Sequence, residues 1–233
     1  MNIIITGASR GLGKAIADKF AGRGYHLYLC SRNKEALHKT TEELKSKYPA
    51  VTVKAKAFDL AEKEQVREFG HWILDSGIRI DILVNNAGQF VPGTILSEDD
   101  SVLEKMINVN LYSAYHLTRI LLPKMIAARS GHIFNMCSIA SLQAYPNGGS
   151  YGISKFALAG FSKNLREEMK PHGIRVTALY PGATYTDSWA GSGVDPLRIM
   201  EAGDIAEMIY AASILSPRAN VEEILIRPQL GDL

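Results

Sequence analysis

Ile3-Ile4-Ile5-Thr6-Gly7-Ala8-Ser9-Arg10-Gly11-Leu12-Gly13-Lys14-Ala15-Ile16-Ala17 is an apolar run that gives way to glycines and then to a helix-forming stretch. Three isoleucines in a row predict a strand buried on both faces. The glycines permit a tight turn and a close backbone approach, and the residues after Gly11 predict a helix over 11–23. A pyrophosphate can rest on the free amides and positive dipole at the start of such a helix. Gly7, Ser9, Arg10, Gly11, Leu12 and Gly13 are therefore candidate contacts for a nucleotide.

Working outward, short β-branched runs alternate with longer helical patterns. The predicted strands are 2–6, 25–30, 51–58, 81–85, 132–137, 175–180 and 223–227. Helices are predicted over 11–23, 34–47, 62–76, 99–129, 151–170 and 204–215. Alternation of this kind implies right-handed crossovers and a sheet covered on both faces. The expected fold is a single α/β domain over 1–233, a doubly wound Rossmann-type, mostly parallel seven-stranded sheet. Two stretches break the rhythm, 89–97 and about 185–202; both follow C-terminal strand ends, where open α/β sheets bind ligands, and are read as substrate loops.

Composition narrows the class. The 233 residues are 46% hydrophobic, enough for a full core, and carry 26 basic against 24 acidic residues, a net charge of +2. Charges so dispersed exclude a nucleic-acid or membrane-surface protein. Cys30 and Cys137 are isolated, as reduced thiols are, and the six histidines have no paired ligand spacing, so no metal is expected. Strand residues begin at Asn2 and no apolar run reaches spanning length. A cytoplasmic protein is expected.

Further along stand Asp59, Asn85-Asn86-Ala87-Gly88, Asn110, Ser138, Tyr151-x-x-x-Lys155 and Pro181-Gly182. With Thr6-Gly7-x-x-x-Gly11-x-Gly13 they resemble, in order and spacing, the short-chain dehydrogenase/reductase family over nearly the whole chain. The resemblance implies hydride transfer between a nicotinamide and a carbonyl or secondary alcohol, with Asn110, Ser138, Tyr151 and Lys155 catalytic. Tyr151 and Lys155 lie one helical turn apart on one face. A free phenol has a pKa of about 10. A neighbouring ammonium and an oxidised nicotinamide are expected to lower it, so that Tyr151 exchanges a proton with the substrate oxygen. Ser138 would hold that oxygen.

In the family an asparagine at the place of Asn110 bends the helix and holds a water that relays protons to the lysine; Asn108 is its rival by register. The family also uses an asparagine of the Asn85-Asn86 pair to tie strands, and Ala87-Gly88 to admit the adenosine ribose. Asp59-Leu60 resembles the adenine-contacting pair. Pro181-Gly182 with Thr186, or alternatively Thr184, resembles the nicotinamide-carboxamide contact. Phe90, Tyr145, Tyr185, Trp189 and Leu197 are candidates for an apolar substrate pocket.

Cofactor choice rests on charge. NAD-binding forms carry an acid at the end of the second strand, where this chain has Ser31 and then Arg32. Arg10 and Arg32 suit the 2′-phosphate of NADP(H), which planar guanidinium groups bind bidentately. The expected partner is a small carbonyl compound: a diketone or aldehyde, a pterin side-chain ketone or a β-ketoacyl thioester. A homodimer or homotetramer is expected, although the last strand lacks the family's Gly-Gly dipeptide. The rival class is a catalytically silent NADP(H) sensor on the same fold, which loss of Asn110, Ser138, Tyr151 or Lys155 would have favoured.

Overall fold

The computed structural model describes residues 1–186, 189 and 193–232. Their elements run β1 (Asn2–Thr6), α1 (Gly11–Ala21), β2 (His26–Ser31), α2 (Lys34–Lys47), β3 (Val53–Ala57), α3 (Lys63–Asp75), β4 (Ile82–Asn85) and α4 (Val102–Ile107). After a π-helical turn, Asn108–Tyr112, come α5 (Ser113–Ala128), β5 (Gly131–Met136), α6 (Gly149–Met169), β6 (Ile174–Pro181), β7 (Thr184–Tyr185), β8 (Met200–Glu201), α7 (Ala202–Ser213) and β9 (Glu223–Ile226). Seven strands form one sheet in the order β3-β2-β1-β4-β5-β6-β9. All six pairings are parallel, so the expectation of a mostly parallel sheet is met without an antiparallel edge.

Strand periodicity decides which helices cover which face. Ile3 and Ile5 enter one core with Ile16 and Phe20 of α1, Leu37 of α2 and Ile209 of α7. Ile4, pointing the other way, enters a second core with Phe69 of α3, Leu117 of α5 and Leu165 of α6. Strand order reverses at β1, which has β2 on one side and β4 on the other. A crevice at the C-terminal ends follows from that reversal. Among the described residues no helix is long and apolar enough to cross a membrane.

Two of the differences in boundary from the sequence reading bear on the site. The helix expected over 99–129 is three pieces, because the backbone widens into the π-helical turn where Asn110 reaches out of the helix to the main chain of Gln89. The helix expected from Tyr151 starts two residues earlier, at Gly149, where Glu98 bonds its first turn from outside.

One buried polar group sits in the sheet itself. His132 of β5 is 1% exposed and its Nε2 lies 2.7 Å from Thr177 Oγ1. The Thr177 hydroxyl donates to Val221 O, so its oxygen accepts from Nε2–H, leaving Nδ1 as a buried lone pair without a partner among the described residues. Burial, with help from Arg175, pulls the imidazole down to about 2. A histidine held below its unfolded value of about 6.5 takes up a proton on unfolding, so its stabilisation is complete above that pH and lost as pH falls below it. Urea unfolding at pH 7 and pH 5 should therefore show a loss of about 2 kcal/mol from this residue, and His132→Gln should reduce the measured pH dependence by that amount.

Candidate active site

The glycine loop between β1 and α1 has the geometry its composition predicts. Gly7 and Gly11 take φ of +65° and +53°, where a side chain is strained. Gly13 is flat against the strand end: a Cβ there would stand 2.2 Å from Gly7 O and 2.7 Å from Asn86 Nδ2. Arg10 occupies the N-cap of α1 with extended backbone, and its side chain does not cap the first amides. Its first amides and dipole face the crevice over a cradle that any Cβ would fill, which fits a dinucleotide pyrophosphate. Ser9 is buried, and Leu12 packs its side chain into the core.

Neighbouring strand ends are tied by side chains. Thr6 Oγ1 accepts from Asn86 N at 3.0 Å and Ala87 N at 2.9 Å, while Asn86 Nδ2 donates to Thr6 O and Gly7 O. Asn85 Nδ2 donates to Asn135 Oδ1 of β5 and Thr118 Oγ1 of α5, and Asn135 Nδ2 to Ser162 Oγ of α6. Both asparagines tie neighbouring elements, where the resemblance implies one. At Gly88 a Cβ would come within 3.2 Å of Asn110 Oδ1 and 3.5 Å of Lys155 Nζ.

At the end of β2, Ser31 Oγ lies 2.8 Å from Ser9 Oγ, and no carboxylate occupies the position. Arg32 is exposed and leans to Asp59 at 3.7 Å. Asp59 also accepts from Ala61 N, and Leu60 is buried beneath it. Leu60 lines a groove with Lys63, Val66, Asn108, Tyr112 and His116. Asn108 thus stands apart from Asn110 and its partners.

Asn110, Ser138, Tyr151 and Lys155 come together beside Gly88. Lys155, 5% exposed on α6, donates to Met136 O at 2.7 Å and lies 5.8 Å from the centre of the Tyr151 ring. Burial lowers this ammonium to about 8. Tyr151 departs from the expectation: burial holds its phenol above the ordinary value, and the Ser138 hydrogen bond pulls only partly the other way. Desolvation of a phenolate inside the protein outweighs favourable neighbours when no nicotinium charge is added. Ser138 begins a 3₁₀ turn whose Ala140 N donates to its hydroxyl, which fixes the side chain. Asn110, fully buried, accepts from Gln89 N at 2.7 Å and donates to Gln89 O and to Ser154 Oγ, which in turn donates to Tyr151 O.

Past β6, Pro181 and Gly182 lead to Thr184, whose hydroxyl donates to Gly182 O, and to Thr186, whose side chain covers Gly11. Phe90 meets the Tyr151 ring edge-on at 4.9 Å, and Tyr145 packs on Gly148 with its phenol raised to about 12 by burial and by Tyr151. Tyr185 is partly exposed on β7, and Trp189 N donates to Thr186 O. Leu197 is 93% exposed, which corrects its expected place in a pocket: the turn carrying it faces outward while Arg198 bonds the carbonyls of 230–232. The loop expected over 185–202 is anchored at its base by the β7·β8 ladder, and its positions 187–188 and 190–192 lie outside the described residues. Sequence reasoning missed Glu98 and Ser154 as contributors and placed Thr6 in the glycine motif without its role of tying β1 to the chain after β4; the serine between Tyr151 and Lys155 carried a local signal, and Glu98 carried none.

Gly13→Ala should displace α1 from β1, costing about 1–3 kcal/mol of stability and weakening dinucleotide binding, measured by thermal unfolding and by nucleotide titration.

The short chain dehydrogenase family model matches residues 1–195. An uncharacterized oxidoreductase of Staphylococcus epidermidis is 31% identical over 225 residues, 97% of this chain and 96% of that protein. Sepiapterin reductase of Chlorobaculum tepidum is 34% identical over 242 residues, 99% of this chain and 97% of that protein. The solved alcohol dehydrogenase of Thermococcus sibiricus, complexed with 5-hydroxy-NADP, superposes with a TM-score of 0.89 at 29% identity, covering 98% of this chain and 96% of that one. The chain belongs to the short-chain dehydrogenase family of oxidoreductases.

Proposed function

We propose that this oxidoreductase interconverts a small carbonyl compound and its alcohol with NADP(H), Tyr151 serving as general acid and base. The convergence of Ser138, Tyr151, Lys155 and Asn110 beside Gly88 carries this reading. Bound NADP(H) supplies or accepts the hydride. Ser138 holds the substrate oxygen, and Tyr151 gives that oxygen its proton on reduction. A phenol held above its ordinary value is protonated at neutral pH, the state an acid needs. Lys155, anchored on Met136 O, carries its ammonium near the Tyr151 ring and would hold the ribose of the bound cofactor. Asn110 keeps the helix open beside the lysine and holds the water through which the proton is replaced, as the family resemblance implies.

The 2′-phosphate is assigned to Arg10 and Arg32, supported by Ser31 standing where an acid would select NAD and by the NADP analogue bound to the Thermococcus relative. Ala87 and Gly88 border the adenosine ribose, Asp59 and Leu60 the adenine, and Pro181, Gly182, Thr184 and Thr186 the carboxamide. Phe90 and Tyr145, with Tyr185 and Trp189 further out, suit a small, largely uncharged substrate, a class that includes the pterin ketone implied by the sepiapterin reductase relative. The buried free thiols fit a reducing cytoplasm, and the partly exposed Tyr115, Ile153 and Phe156 fit a homo-oligomer.

NADPH oxidation screened against ketones, aldehydes, quinones, pterins and ketoacyl thioesters tests the reading; absence of turnover on all of them would overturn it. Tyr151→Phe should keep NADPH affinity and lose about 10²–10⁴-fold in turnover, since the ring still packs but carries no proton. Lys155→Met should weaken NADPH binding and move the optimum of alcohol oxidation to higher pH.

Neutral replacement of both arginines should weaken NADPH relative to NADH by about tenfold or more for each, given about 1.5–3 kcal/mol per charge-assisted bond. Ser31→Asp should shift preference the same way. Titration of both cofactors at fixed ionic strength reads the ratio; equal affinities in the unmodified protein would remove the arginine assignment.

A further inference from the structure

The segment from Gln89 to Glu98 is fastened at both ends to the elements that hold Tyr151. At its start the main chain of Gln89 both donates to and accepts from Asn110. At its far end Glu98 Oε1 accepts from Ser150 N at 3.0 Å and from Ser150 Oγ at 2.7 Å. Between them Gly93 bridges Gly148 and its N–H donates to Asn147 O, while Phe90 rests against the Tyr151 ring.

Helix α6 needs such a partner. Its N-cap is Gly148, which has no side chain to accept the first amides, and no acid stands in its own first turn. Glu98 supplies the missing acceptor and a negative charge at the positive end of the helix dipole, from 52 residues away. The approach demands glycine: a Cβ on Gly149 would lie 2.6 Å from Gly93 O and 2.8 Å from Glu98 Oε1. Ser150, which receives the carboxylate, is 2% exposed and immediately precedes Tyr151.

We propose that Glu98 is a positioning residue, which caps α6 from outside the helix and thereby sets Tyr151 and Phe90 in register across the reaction centre. It acts through Ser150 and touches no reacting atom. The proposal rests on Tyr151 being the proton donor. A phenol displaced by a fraction of an ångström loses alignment with the substrate oxygen, and misplacements of 1 Å cost up to about 10²-fold.

Glu98→Ala and Glu98→Gln would be compared on a carbonyl substrate from the screen, with NADPH titration and amide hydrogen exchange in parallel. Glu98→Ala should lower kcat by about tenfold or more with NADPH affinity unchanged, and speed exchange only in 89–98 and 149–152. Glu98→Gln, whose carbonyl oxygen still accepts from Ser150 N, should recover most of kcat. Unchanged kcat and exchange in Glu98→Ala would overturn the proposal, as would a matching loss of NADPH affinity with faster exchange everywhere, which marks general loosening. If the unmodified protein turns over no carbonyl, the reductase reading fails by itself, and the local exchange alone decides whether Glu98 caps this helix.

Discussion

A seam of side-chain hydrogen bonds at the C-terminal ends of the strands holds the rest of the molecule in place. Thr6 binds the backbone after β4, Asn86 returns to the β1 turn, and Asn85 and Asn135 carry the connection through β5 to Ser162 on α6. These groups are buried or nearly so, where a polar atom left without a partner costs about 1–3 kcal/mol; the bonds they share make their arrangement narrow, while Asn85 Oδ1 has no partner among the described residues. The seam runs along the line where strand order reverses. It fixes the spacing between the glycine loop and α6, which carries Tyr151 and Lys155.

Electrostatics at the reaction centre follow from the same burial. Lys155 is drawn to about 8 and the Tyr151 phenol is held above its ordinary value, each because water is excluded from its charged form. Neutral Cys137 beside them is raised to about 11 for the same reason and stays a packed thiol. The protein alone therefore presents a protonated phenol and an ammonium nearer to neutral pH than usual.

Much of this was legible in the chain. Ile3-Ile4-Ile5, with no polar position to face solvent, announced a strand covered twice, and the parallel sheet with a helix layer on each side follows. Gly7, Gly11 and Gly13 announced a crowded turn because only their lack of a Cβ permits it. The break at Asn110 was implied as a bend by the family resemblance while the pattern of residues read as one helix over 99–129, since the bond that opens the helix comes from Gln89, 21 residues away.

The sequence by itself determined the order of elements, the two-faced core and the residue types at the crevice, because these depend on local propensity, the period of two along a strand and the steric freedom of glycine. Only the tertiary structure decided which way Tyr151 titrates, that Leu197 faces outward, that His132 carries an unpaired nitrogen inside the sheet, and that Glu98 caps α6. Each of these depends on what a side chain meets across the fold. Desolvation and hydrogen bonds act over a few ångströms of space, whatever the separation along the chain, and Glu98 and Ser150 become neighbours only once the sheet and its helices have closed around them.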